Sequence, residues 1–267
     1  MQREVTGSVL AILWLILLIF GTAGQFWLVT LGVAGLAANE YLAMQFTDGL
    51  SKTERGGLIF IMILPVLFQM PVAETAVMPV AAHVFLAFLF YCLYRFLFFK
   101  EAPIDLANLA KVALGLLYIG LLFAHLPMIR NRPNGAAWVL ILTAITAGSD
   151  IGAYYIGKYF GKNKLSPEVS PQKTKEGMWG GVATAIVLSV IVALCMHVPF
   201  NIVKLVLLAL ALSFIGVFGD LVESAIKRGA GVKDSGTILP GHGGVLDRLD
   251  SMIFVAPVLY YFLLWNL

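Results

Sequence analysis

Long apolar runs broken by short polar segments set the pattern of this chain, and the runs have the length of membrane-spanning helices. A spanning helix needs about 20 mostly apolar residues. Candidate spans fall near 5–20, 24–46, 57–70, 76–99, 108–126, 136–157, 178–198, 202–226 and 245–265. The third is the weakest, being short and interrupted by Pro65. Strands of a membrane barrel would alternate apolar and polar positions over about ten residues, and these runs do not. The expected fold is all-α: a polytopic membrane helix bundle of about nine transmembrane helices.

Composition agrees, with 60% of the 267 residues hydrophobic and 12% charged. Soluble domains carry about 25% charged residues, so a soluble reading is excluded. The first run, MQREVTGSVLAILWLILLIF, resembles a signal peptide in its charge and apolar stretch. Many further spans follow it and no clear small-residue cleavage motif does, so it is expected to remain as the first helix. Cys92 and Cys195 lie in apolar runs without metal-ligand spacing and are expected to be structural.

Charge then orients the bundle. With nine spans, one side receives fifteen of the Lys and Arg residues, from Arg3 to Arg248, and the other only Arg130, Arg132 and Lys204. The positive-inside rule puts the richer side, and with it the N-terminus, in the cytoplasm. The chain divides into N-terminal helices over 1–130 and a C-terminal half, 131–267, which carries the cytoplasmic loops 158–177 and 227–244. Both loops are expected on the same face, so they can meet.

The polar residues are concentrated between Ser224 and Asp250, in SAIKRGAGVKDSGTILPGHGGVLDRLD. Upstream, Glu40, Asp150 and Asp220 are acids inside apolar runs. At about 1.5 Å per helical residue they lie roughly 21–27 Å from the outer ends of their spans, in one cytoplasmic layer. Asp247 enters that layer at the start of the last span. For Glu40, capping a helix or pairing with an Arg or Lys is an equally good reading. Asp220/Glu223 and Asp247/Asp250 recur at i, i+3, which puts each pair on one helix face. Such clustering is costly unless cations compensate, and Mg²⁺ is a natural compensator that leaves positions for phosphate oxygens.

Lys173, Lys227, Arg228, Lys233 and Arg248 lie among or beside these acids, as a phosphate clamp requires. Lys158, Lys162 and Lys164 read better as a topology signal or an anionic-lipid contact. Gly241, Gly243 and Gly244 allow backbone N–H groups to approach an anion. His242, among them, is either a phosphate donor or a loop-stabilising partner. No GxxxxGK[ST], GxSxG or HExxH motif is present. Direct attack of one substrate's phosphate oxygen on another needs no protein nucleophile.

The run Ser224-Ala225-Ile226-Lys227-Arg228, then Lys233-Asp234, His242-Gly243-Gly244 and Asp247-Arg248-Leu249-Asp250, resembles the signature of the phosphatidate cytidylyltransferases. Asp150 to Tyr154, Gly157 to Lys162, Ser170 to Gly177 (SPQKTKEG) and Gly219-Asp220 also resemble that family. The likeness covers residues 135–267 firmly, and the first 130 residues mainly in layout. It implies a multi-pass enzyme of the cell (inner or plasma) membrane, a homodimer with its site facing the cytoplasm. It would condense CTP with phosphatidic acid to CDP-diacylglycerol and pyrophosphate, among membrane lipids and with no nucleic-acid partner. By resemblance, Asp220 and Asp247 hold Mg²⁺ beside a monovalent cation such as K⁺, with Glu223 as a further metal ligand. Lys227, Arg228, Asp150 and Asp250 join those two aspartates as expected catalytic residues. Lys173, Thr174, Ser224, Lys233, His242, Gly243, Gly244 and Arg248 are the expected substrate-binding residues. Glu176 is a second choice as metal ligand or orienter. A CTP-dependent lipid kinase acting on a polyprenol, and an ion-coupled transporter, are the alternatives.

Overall fold

The structure, a computed structural model, describes residues 2–47, 49–71, 79–98, 105–166, 168, 170–241 and 243–266. The helices in chain order are α1 (Gln2–Phe20), α2 (Ala23–Gln45), α3 (Lys52–Leu67), α4 (Val80–Phe98), α5 (Leu106–Gly115), α6 (Leu122–Arg130), α7 (Gly135–Phe160), α8 (Lys175–Cys195), α9 (Ile202–Gly229) and α10 (Leu246–Asn266). A π-helical segment, Leu116–Leu121, joins α5 to α6, so that Leu106–Arg130 runs as one apolar rod. Strands β1 (Lys164–Ser166) and β2 (Ser170–Thr174) form an antiparallel hairpin between α7 and α8.

This is the expected all-α membrane bundle. Seven helices among the described residues are long and apolar enough to cross a bilayer, and Val5–Phe20 is a shorter apolar one. The third expected span is the 16-residue α3, with Pro65 near its end. At about 1.5 Å per residue it reaches roughly 24 Å, short of a hydrocarbon core of about 30 Å. Pro65 does not break the helix; it packs under Gly120 of the π segment, where a Cβ would come 2.9 Å from its ring.

Short polar residues start the helices. Thr22 with Gln25, and Ser51 with Glu54, form capping boxes, and Asp105, Thr174 and Asn201 each accept backbone N–H groups of the first turn. Hydroxyls inside the spans bond their own helix: Thr30 to Phe26, Ser213 to Ala209, Thr184 to Gly180. No water is available there to satisfy them otherwise. At the far end of α9, Gly231 adopts φ +73, and the Gly231 and Val232 amides return to the Arg228 and Lys227 carbonyls.

The tightest seam joins α7 to α8. A Cβ at Gly181 would stand 2.5 Å from the Ser149 carbonyl oxygen, one at Gly152 2.6 Å from that of Gly180, and one at Gly177 2.7 Å from that of Ala153. Small residues at such a seam let two backbones approach where lipid gives no hydrophobic drive for association. The β1–β2 hairpin, which carries Lys173, hangs from the end of this seam. Helices α9 and α10 pack against each other and present the acidic segment between them.

Candidate active site

Asp220 and Glu223 lie one turn apart on α9, and Asp250 lies in the first turns of α10. One carboxylate oxygen from each of the three falls within 4.8 Å of the others. Both Glu223 oxygens are buried and lack a well-directed hydrogen bond, although the Lys227 ammonium is paired with the carboxylate one turn along. A buried, under-satisfied carboxylate among two others fits a hard divalent cation, which takes oxygen donors.

Two lysines close on this cluster from different elements. Lys173, on β2, forms an ion pair with Asp220. Lys227 pairs with Glu223 on its own helix and reaches Oδ1 of Asp247 on α10 at 2.6 Å. Loop 158–177 thus reaches α9 through Lys173 and Asp220, which lies roughly one to two turns before loop 227–244.

Asp247 is engaged differently from the other acids. Its Oδ2 accepts the Gly244 amide at 2.8 Å, the Ser235 amide at 2.9 Å and the Ser235 hydroxyl at 2.9 Å. Of the three expected metal ligands, Asp220 and Glu223 lie in the cluster. Asp247 stands beside it, saturated by donors, and Asp250 occupies the third corner.

Of the three glycines, Gly244 brings its N–H to an anion, and that anion is the protein's own Asp247. Val245 and Leu246 donate to Glu40 at 2.9 and 3.0 Å. Gly243 (φ +82) closes the turn, its carbonyl accepting the Leu239 amide at 3.0 Å. A Cβ at Gly243 would meet Asp247 Oδ2 at 2.7 Å, so only glycine fits that approach. His242 lies outside the described residues.

The remaining expected residues separate into two sets. Asp150, on α7, lines a small cleft with Thr146, Ser149, Ser213, Gly216 and Ser251. The charges acting on it are Asp220, Lys173 and Arg248, which places it at the cluster. Ser224 donates weakly to Asp220, at 3.4 Å. Thr174 is buried and caps α8 through the Gly177 amide at 3.1 Å, and Arg228 holds the Val232 carbonyl at 3.1 Å. Lys233 and Arg248 are exposed. Glu176 braces the hairpin by accepting the Lys162 and Asn163 amides at 3.0 and 3.1 Å, away from the cluster.

Two residues escaped sequence reasoning. Ser235 bridges Glu40 and Asp247; it lies in the polar segment after Lys233-Asp234, but a lone serine there gave no sign of its partners. Tyr118, on the π segment, is 3% exposed, and its hydroxyl has no hydrogen-bond partner. Its charged neighbours are Glu223, Asp250, Asp220 and Asp247. A buried tyrosine in an apolar run, on a segment whose irregular winding often marks a functional place, was the available signal.

A bundle of apolar helices thus carries two lysines beside three clustered acids, and its relatives define the class of protein. The chain belongs to the cytidylyltransferase family, whose sequence profile matches residues 1–265. It is 37% identical to the phosphatidate cytidylyltransferase of Bacillus subtilis (strain 168) over 263 residues, covering 98% of this chain and 97% of that protein. It is 42% identical over 161 residues to the phosphatidate cytidylyltransferase of Staphylococcus epidermidis, covering 60% of this chain and 58% of that one. With the enzyme of that name from Synechocystis it shares 44% identity over 132 residues, covering 49% and 45% of the two chains. The protein is therefore a nucleotidyltransferase.

Proposed function

We infer that this protein condenses CTP with phosphatidic acid, yielding CDP-diacylglycerol and pyrophosphate, as a multi-pass enzyme of phospholipid biosynthesis. The observation that carries the reading is the union of Asp220, Glu223 and Asp250 with Lys173 and Lys227 at one end of a bundle made of apolar helices. A lipid phosphate stays at the membrane surface while its acyl chains lie along apolar helices, and a water-soluble nucleotide reaches the same end from solution.

Asp220, Glu223 and Asp250 are the donors that would hold Mg²⁺, with K⁺ as a candidate second cation. A bound divalent ion supplies charge neutralisation between two polyanionic substrates. Lys173 and Lys227 are held against carboxylates in the structure, and phosphate oxygens compete for the same ammonium groups. Arg228, Lys233 and Arg248 are exposed cations of the same polar segment and would add positive charge for an incoming triphosphate. An oxygen of the phosphatidic acid phosphate attacks the α-phosphorus of CTP, forming the new P–O bond as the bond to pyrophosphate breaks. No protein nucleophile is required, so placement and electrostatics carry most of the rate. Asp150, near Asp220 and Lys173, orients the basic side chain. Asp247 holds Lys227 and the Gly243-Gly244 turn in place.

The positive-inside count supports a cytoplasmic position for this end, where CTP is made, in a protein of the cell membrane. The family resemblance implies a homodimer as the working form. The test is purified protein with phosphatidic acid, CTP labelled in the cytidine, and Mg²⁺. Label in CDP-diacylglycerol with release of pyrophosphate is the expected result. Release of CDP and a phosphorylated lipid alcohol identifies a kinase instead, and transport of a solute without nucleotide turnover a transporter.

A further inference from the structure

Glu40 sits near the end of α2, in the N-terminal half, and is 3% exposed. Among the described residues no ion pair reaches it. A buried carboxylate without a cation costs several kcal/mol unless hydrogen bonds offset that cost. Here both oxygens are used: Oε1 accepts the Val245 amide at 2.9 Å and Oε2 the Leu246 amide at 3.0 Å, with the Ser235 hydroxyl 3.2 Å from Oε2 and its one proton shared with Asp247. The two amide donors belong to the start of α10, where the helix dipole also favours a negative charge.

The loop is closed onto this carboxylate from both sides. A Cβ at Gly236 would stand 2.7 Å from Oε1, and one at Gly244 2.5 Å from Oε2. The Ser235 hydroxyl that faces Glu40 also lies 2.9 Å from Asp247 Oδ2, so two carboxylates on different helices share one side chain. Asp247 in turn holds Lys227, and Lys227 holds Glu223. An unbroken polar chain therefore runs from α2 in the N-terminal half to the acid cluster.

We propose that Glu40 is a positioning residue for the transfer reaction: it fixes the 235–246 turn against α2 and thereby sets where Asp247 and Lys227 stand. The inference rests on the cytidylyltransferase reading. Glu40 touches no substrate; it acts through the Ser235, Val245 and Leu246 donors. A residue that only capped α10 would affect stability and leave turnover per folded molecule intact.

Glu40→Gln separates these roles, since a glutamine keeps the shape but offers one acceptor oxygen where two are used. The experiment compares the full-length wild type, Glu40→Gln and Glu40→Asp in detergent, with phosphatidic acid, CTP and Mg²⁺. It measures kcat and KM together with amide hydrogen exchange over 235–247. The expected result is a fall in kcat of about 10–100-fold, the range for partners that orient metal-site ligands. KM for CTP should change much less, and the Gly244, Val245 and Leu246 amides should exchange faster. Glu40→Asp, with its charge and both acceptors retained, should recover part of kcat. Unchanged kcat with faster exchange reduces Glu40 to a helix cap and overturns the proposal. So does a loss of kcat without any change in exchange. If Glu40→Gln does not accumulate, Glu40→Asp decides: faster exchange with full kcat overturns the proposal, and faster exchange with reduced kcat upholds it. A wild type that makes no CDP-diacylglycerol defeats the underlying reading, which is distinct from an active wild type matched by its Glu40 variants.

Discussion

The ammonium of Lys227 lies 2.6 Å from Oδ1 of Asp247, tying the last turns of α9 to the first turn of α10 across the loop between them. The same ammonium is paired with Glu223, so one cation serves two buried carboxylates. Lys227→Ala leaves both without it. Breaking a buried pair in this way costs about 3–5 kcal/mol. Thermal unfolding in detergent should show that loss, and turnover of CTP should fall with it. A variant that unfolds and turns over like the wild type removes Lys227 from the site.

Asp220→Asn should abolish Mg²⁺-dependent turnover with the protein still folded, because it removes a charged donor from the three-carboxylate cluster. Asp250→Asn should do the same. Asp247→Asn should also abolish turnover, through loss of the Ser235 and Gly244 contacts. The cluster variants should raise the Mg²⁺ concentration needed for residual activity. For Asp247→Asn, faster amide exchange in the 235–246 turn is the distinguishing mark. Near-normal activity in Asp220→Asn defeats the metal assignment.

Tyr118→Phe removes a buried hydroxyl that has no hydrogen-bond partner. An unsatisfied buried polar group costs about 1–3 kcal/mol, so the phenylalanine protein should be as stable as the wild type or more so. A clear drop in unfolding temperature shows instead that the phenol is bonded in the folded protein.

Gly181→Ala should force α7 and α8 apart, since the added carbon meets the Ser149 carbonyl at 2.5 Å. Overpacking of this kind costs about 1–3 kcal/mol. Gly56→Ala is the control, because nothing lies within 4 Å of a Cβ there. Unfolding temperatures of the two variants should differ in that order.

Much of this was legible in the chain. Each of the nine expected spans has a helix or a continuous helical rod at its place, because twenty apolar residues in a row leave the backbone few alternatives. The helices run past the expected ends where polar residues continue the winding, as α7 does to Phe160 and α9 to Gly229. Spacing also put Asp220 with Glu223, and Lys227 one turn beyond. It did not reveal that Glu40, more than 200 residues away in sequence from Leu246, accepts that residue's amide. Hydrophobic periodicity reports which face of a helix is covered, whereas the partner of a loop amide depends on tertiary closure. For the same reason the sequence did not show that the Gly244 amide is engaged by Asp247.

Asp220, Glu223 and Lys227 all project from one stripe of α9, a helix anchored at its other end by the Asn201 cap. Their bearings are locked to a common shaft. One residue inserted anywhere between Asn201 and Asp220 would swing all three by about 100° and lift them roughly 1.5 Å. Length changes in that stretch are therefore constrained by phase: the shaft can lengthen or shorten only by amounts that restore the bearing, and even a whole turn would displace the three groups along the membrane normal by about 5.4 Å.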